Sequence, residues 1–267
     1  MSVELTVLGS GSGGNCAYFE AGETRLLVDV GFSGKQIRER LASIGKTPEM
    51  LTGILLTHEH SDHIKGIKVL AAKLGIPIYC NQWTLEAVKA QAQCQFDARI
   101  FQTGHSFKVG DVDVDSFSIP HDACDPVGFV VHTEGGKIGF LTDLGHVTRL
   151  VIDRVKDVRV LVLETNYDQK LLQEAKRPES IKQRIRSRHG HLSNDAAAEA
   201  MEAMVSDHLE HVLLAHLSRD CNSPELARRV VGERLRDIGG THLNLISTQQ
   251  DHPCATLPLA PAQVSCS

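Results

Sequence analysis

At 267 residues, with 42% hydrophobic and 23% charged residues, the chain has an ordinary globular composition and enough length to bury a core without disulfides. Its net charge of −5 excludes a generally basic nucleic-acid binder, so any polyanion contact must come from a local patch. The longest apolar runs, 160–163 and 212–215, are far too short to span a bilayer. The N-terminal segment MSVELTVLGS has neither the basic region nor the apolar stretch of an export signal. Seven scattered cysteines with no C-x-x-C pair suggest neither a disulfide framework nor a zinc ribbon. A cytoplasmic protein is the expectation. Fourteen histidines are the outlier.

In chain order, 3–8 (VELTVL) and 25–30 (RLLVDV) read as glycine-bounded strands, with GSGSGG at 9–14 a flexible loop between them. Residues 34–43 have helical spacing, with Ile37 and Leu41 four apart. A short apolar strand at 53–57 runs straight into HEHSDH at 58–63. Residues 64–74 predict a helix with Ser61 or Asp62 as its N-cap. A strand at 76–80, a helix near 83–92 and several strands between 99 and 142 follow. A helix near 146–156 and a strand at 159–164 come next, then helices near 178–187 and 194–206. A strand at 211–215, a helix at 223–236 and a strand at 243–247 close the fold. Helices alternating with strands, and strands running side by side, predict an α/β protein with a four-layer αββα sandwich. One domain over 1–248 is expected, with a loose Pro-rich tail over 249–267.

The chemistry concentrates at 58–63, where four potential ligands fall in six residues just after a buried strand. In extended backbone His58 and His60 project to the same side and can reach one ion, while Asp62 and His63 turn towards a neighbouring position. His121, Asp143 and His216 each end an apolar strand, so a sheet could bring all three to the same rim. Imidazole and carboxylate ligands suit divalent Zn, Mn or Fe. Two such ions lower the pKa of a shared water and yield hydroxide near neutral pH, with Asp62 both ligating and orienting it. The reaction class is hydrolysis; the metal residues alone leave ester, thioester, lactam and phosphodiester substrates open. His146, near Asp143, reads as a residue supporting the site from behind its ligands.

Residues 176–191 carry six basic residues against the single Glu179, an isolated basic segment in an acidic chain. Lys182, Arg184 and Arg188 are its candidate contacts to a phosphate backbone. Asn15, with its glycine loop, is a further candidate for phosphate binding through backbone N–H groups. His191 stands at the entrance of the helix that Ser193 or Asn194 could cap, where a histidine beside a metal site can protonate a leaving oxygen.

The segment THEHSDH resembles the H-x-H-x-D-H signature of metallo-β-lactamase-fold hydrolases, and His121, Asp143 and His216 match that family's later ligand motifs in order. The resemblance implies a first metal held by His58, His60 and His121, a second by Asp62, His63 and His216, and Asp143 as bridge. His191 looks like the histidine that serves as proton donor in tRNA-maturation and related nucleases of this fold. The segments 9–16, 27–31, 33–37, 56–66, 121–123, 125–129, 142–147, 190–194 and 214–218 together resemble the YycJ/WalJ group. That resemblance implies a bacterial 5′-to-3′ DNA exonuclease using Zn²⁺ or Mn²⁺. A small-molecule metallohydrolase (thioesterase, lactonase or cyclic phosphodiesterase) and a non-catalytic nucleic-acid-binding member of the fold are the competing expectations.

Overall fold

The structure is a computed structural model and describes residues 3–261. Its strands in chain order are β1 (Val3–Gly9), β2 (Cys16–Ala21), β3 (Thr24–Val28), β4 (Gly53–Leu55), β5 (Ile78–Cys80), β6 (Ala98–Ile100), β7 (Ser106–Val109), β8 (Val112–Ser118), β9 (Val127–Thr133), β10 (Gly136–Leu141), β11 (Val160–Glu164), β12 (His211–Ala215), β13 (Asn244–Ser247) and β14 (Leu257–Leu259). The helices are α1 (Gly34–Ser43), α2 (Ser61–Ile64), α3 (Ile67–Leu70), α4 (Gln82–Ala92), α5 (Arg149–Val155), α6 (Gln169–Glu174), α7 (Glu179–Arg186), α8 (Asn194–Met204) and α9 (Pro224–Asp237). The strands form two seven-stranded sheets, ordered β14-β1-β2-β3-β4-β5-β6 and β13-β12-β11-β10-β9-β8-β7.

Period-two alternation explains the layering. In β11, Val160 and Val162 enter the core between the sheets, while Leu161 and Leu163 pack outward under α8 and α9. A strand apolar on both faces can only be a central strand covered on both sides. On the other sheet Leu27, Ile54 and Ile78 meet Ile37 and Leu41 of α1 and Leu85 and Val88 of α4. The result is the four-layer αββα sandwich of the metallo-β-lactamase fold. Phe19 and Phe129 are fully buried between the sheets, each contributing about 1.5–3 kcal/mol of burial.

Several local expectations are corrected. Residues 64–74 do not make one helix: α2 and α3 are single turns broken at Gly66. A Cβ at Gly66 would lie 2.9 Å from the Phe32 carbonyl and 3.1 Å from that of Val30, so close packing interrupts the helix. His60, not Ser61 or Asp62, precedes the first turn, and it makes no side-chain cap bond. The strand Cys16–Ala21 and the helix Gln169–Glu174 were not expected. The tail is not loose as far as residue 261: Leu257–Leu259 pairs antiparallel with β1, with Pro258 opposite Glu4. Proline is tolerated there because β14 is an edge strand. The rest of the tail lies outside the described residues.

Candidate metal centre

The parallel pairs β3–β4 and β10–β11–β12 bring their carboxyl ends to one edge of the sandwich. Asp29 follows β3, His58 lies just beyond β4, Asp143 just beyond β10, Glu164 ends β11, and His216 follows β12. Crevices outside the carboxyl ends of parallel strands are where such sheets bind ligands. Four non-glycine residues have positive φ among the described residues, and three are Asp29 (60°), Asp143 (59°) and His216 (54°). That left-handed backbone costs about 1–3 kcal/mol at each, a strain that clusters at working sites. Here it turns three strand-end side chains towards one point.

The imidazoles of the 58–63 loop are oriented by groups behind them. The one hydroxyl proton of Thr57 goes to Asp29 (Oδ2, 2.8 Å), so Thr57 Oγ1 accepts from His58 Nδ1 at 3.0 Å. His58 Nε2 is thereby left as a bare acceptor, buried and without a hydrogen-bond partner among the described residues. His63 Nδ1 donates to Asp29 Oδ2 at 2.7 Å, directing Nε2 towards Asp143 Oδ2 at 3.0 Å. His121 Nδ1 donates to the Gly190 carbonyl at 3.0 Å, and its Nε2 lies 3.2 Å from His60 Nδ1. Holding the distal imidazole nitrogen in this way fixes tautomer and ring direction for a metal ligand.

Six of the seven expected ligands, His58, His60, His63, His121, Asp143 and His216, fall in groups of donor atoms close enough to share an ion, and Asp62 falls in none of them. His58, His60 and His121 offer nitrogens within 4.8 Å of one another, as do the donor atoms of His58, His63 and Asp143. Asp143 faces several histidines: Oδ1 is 3.0 Å from His216 Nδ1 and 3.7 Å from His121 Nε2. Its Oδ2 is buried, facing His63 Nε2 at 3.0 Å. Asp62 stands further off, with Oδ2 3.7 Å from Nε2 of both His63 and His216. The buried His58 Nε2, left without a hydrogen bond among the described residues and grouped with the donor atoms of four other ligand-type residues, is what a divalent cation would satisfy. The donor set fits a divalent metal.

Electrostatics agree. Burial, with His63 beside it, holds the His58 imidazole well below its ordinary range and keeps it neutral. Burial opposes charge on His63 too, but Asp29 and Asp143 outweigh it and raise that ring well above the ordinary value. His216 is likewise pushed up to about 10 against its burial, by Asp143 and Glu164. Burial alone would raise Asp143; His216 and His63 instead hold its carboxyl well below the usual range. The buried carboxylates therefore draw positive charge into the centre, the condition that attracts a cation.

Sequence reasoning missed Asp29, Thr57 and Glu164. Glu164 is fully buried; its Oε2 accepts from Leu144 N at 2.8 Å and its Oε1 receives His191 Nδ1 at 2.8 Å. It groups with Asp143, His191 and His216 within 4.8 Å, so it stands among the possible ligands as well. The signal available for both acids was the one that marked Asp143, a carboxylate closing an apolar strand. His191 sits at the entrance of α8, which Ser193 caps, and its side chain is 22% exposed. Although burial opposes it, Glu164 raises the His191 pKa above its ordinary value and so favours the protonated ring.

The expected phosphate contacts divide. Arg184 Nε pairs with Asp122 Oδ2 at 2.5 Å, and Asp122 Oδ1 lies 3.5 Å from His121 Nε2, so Arg184 reaches the rim of the centre. Arg188 holds His146 Nε2 at 3.0 Å, while Lys182 Nζ is engaged by the Gln173 carbonyl at 2.6 Å. Asn15 does not present itself to a phosphate: it is buried, its Oδ1 accepts from Ser10 and Gly11, and its Nδ2 faces His63 Nε2 at 3.0 Å. The loop N–H groups of Ser10, Gly11, Gly13 and Gly14 are also taken within the protein. The loop glycines serve close packing instead; a Cβ at Gly14 would sit 2.7 Å from the Phe32 ring and 2.8 Å from the Gly31 carbonyl. His146 is absent from the ligand groups and pairs with Arg188.

Comparison with known proteins agrees with this fold. The model of the beta-lactamase superfamily domain matches residues 24–217. The chain is 39% identical over 241 residues to "Exodeoxyribonuclease YycJ" of Bacillus anthracis, covering 90% of this chain and 91% of that one. It is 37% identical over 255 residues to "Exodeoxyribonuclease WalJ" of Streptococcus pneumoniae, covering 93% and 95%. Among solved structures it is similar to the metallo-beta-lactamase fold protein YhfI of Bacillus subtilis, with TM-score 0.71 at 16% identity over 94% of this chain and 99% of that one.

Proposed function

The chain belongs to the beta-lactamase superfamily and, within it, to the YycJ/WalJ group, and from that membership we propose a two-metal DNA exonuclease that degrades the strand from 5′ to 3′. His58, His60 and His121 would hold one ion and Asp62, His63 and His216 the other, with Asp143 within reach of both. The ions are Zn²⁺ or Mn²⁺, which accept this mixture of imidazole and carboxylate. When bound, they supply Lewis acidity towards a phosphate oxygen and acidify water near neutral pH.

The protein's own groups do the rest. Asp29 and Thr57 hold His63 and His58 in one tautomer, so the donor nitrogens need not reorganise. Asp62, the most exposed acid of the set, orients the attacking water. The water oxygen forms a bond to phosphorus as the bond from phosphorus to the leaving sugar oxygen breaks. His191, its Nδ1 held by Glu164, delivers a proton to that leaving oxygen. Arg184 and Arg188 lie along the strand's backbone. Among the described residues no helix is long and apolar enough to cross a membrane. The six described cysteines are free, which supports a cytoplasmic site of action.

The observation that carries this reading is Asp143, which turns one carboxylate towards both sets of imidazoles, His63 and His216 on one side and His121 on the other. Arg184 at the rim favours a phosphate substrate over a thioester or lactone. The test incubates metal-loaded protein with DNA labelled at the 5′ end. Early release of labelled mononucleotide, abolished by a chelator and by His58→Ala, is the expected result. Hydrolysis of small esters with DNA left intact would remove the reading.

A further inference from the structure

Beside Asp62 lies a cavity of about 440 Å³ that no part of the reading above uses. Its lining includes Ser12, Ser61, Asp62, Lys65, Lys68 and Gln91. The volume lies within the roughly 300–1,000 Å³ range of small-ligand clefts. Asp62 belongs both to this wall and to the metal centre, so the cavity opens on the reacting groups.

The two lysines point there because of how α2 and α3 pack. Ile64, Gly66, Ile67 and Leu70 are buried against α1 and the strands, which leaves Ser61, Lys65 and Lys68 exposed on the opposite face. Gly66 holds that orientation, since a side chain there would meet Ile37 and the carbonyls of Phe32 and Val30. Neither ammonium makes an ion pair or hydrogen bond among the described residues. In the basic segment, by contrast, Lys182 is held by the Gln173 carbonyl, Arg184 by Asp122, Arg177 by Asp220 and Arg188 by His146, while Lys176 and Arg186 are exposed. Lys65 and Lys68 thus present positive charge without a counter-ion on the same cavity wall as Asp62. No aromatic side chain lines the cavity, so it offers nothing on which a base could stack.

We propose that this cavity binds a phosphate group of the substrate strand adjacent to the scissile one, through Lys65 and Lys68 with the Ser12 and Ser61 hydroxyls as further donors. The proposal rests on the phosphodiesterase reading above. Such a contact fixes the strand's register over the metals without reading sequence. The phosphate is either the 5′-terminal group or an internal backbone phosphate.

The experiment measures binding of metal-loaded protein to a phosphorothioate-linked single strand, bearing either a 5′-phosphate or a 5′-hydroxyl, as salt is raised. Lys65→Ala/Lys68→Ala should weaken binding on the order of tenfold and lower the slope of log affinity against log salt by about 0.7 for each phosphate no longer neutralised. Hydrolysis of bis(p-nitrophenyl) phosphate, which has no adjacent phosphate, should keep its rate, and Lys65→Arg/Lys68→Arg should restore binding. A larger effect on the 5′-phosphorylated strand identifies the terminal phosphate; equal effects identify an internal one. Unchanged affinity and slope, in a protein whose wild type binds and cleaves DNA, overturn the proposal alone. A wild type that neither binds nor cleaves DNA overturns the underlying reading, and this inference with it.

Discussion

The loop at 58–63 and the strand ends at 143 and 216 supply the same kind of donor by different physical means. In the loop, the backbone runs through a single-turn helix, and side chains behind it fix the imidazoles: Thr57 on His58 and Asp29 on His63. At the strand ends the backbone itself is bent into left-handed conformation, aiming Asp143 and His216 directly. The loop stores its precision in hydrogen bonds, the strand ends in strain that the sheet offsets. Asp29 joins the two, since it is a strained strand-end residue whose carboxylate orients a loop histidine.

Breaking the shared element should have the largest effect. Asp143→Asn should lose both ions and lower the turnover number by about three orders of magnitude or more, whereas His58→Ala should keep one ion and be similarly inactive. Metal analysis of the two purified variants separates these outcomes. Next, His191→Ala should retain its metal while the turnover number falls by about 10²–10⁴-fold, read from single-turnover cleavage. Loss of metal in that variant would assign His191 to coordination instead. Asp29→Asn removes the support behind the loop and should weaken metal affinity by about 10–100-fold, with activity recovered at saturating metal. The smallest effect belongs to Arg184→Ala at the rim: a several-fold rise in KM for DNA with an unchanged turnover number. An unaltered KM would mean that the Asp122 pair is only structural.

The same contrast explains what was legible beforehand. Ligands crowded into six residues announce themselves, and His121, Asp143 and His216 could be found because each closes an apolar run. Glu164 and Asp29 close apolar runs too, but a single carboxylate after a strand has no chemistry until its neighbours in space are known. Thr57 acts through one proton whose direction only the three-dimensional network determines. The four layers followed from alternation in strands such as β11. Helix breakage at Gly66 did not, because it depends on carbonyls of Val30 and Phe32 some thirty residues away in the chain. Asn15 misled for a related reason: a glycine-rich loop suggests an anion site until its N–H groups are seen to be engaged within the protein.

The central claim is that these two differently built regions close around one pair of cations. An anomalous difference map from crystals of the manganese-loaded protein tests it most directly. The account predicts two peaks, one among His58, His60 and His121 and one among Asp62, His63 and His216, with Asp143 between them. A single peak, or a peak held by Glu164 and His191 in place of the 58–63 loop, would contradict it.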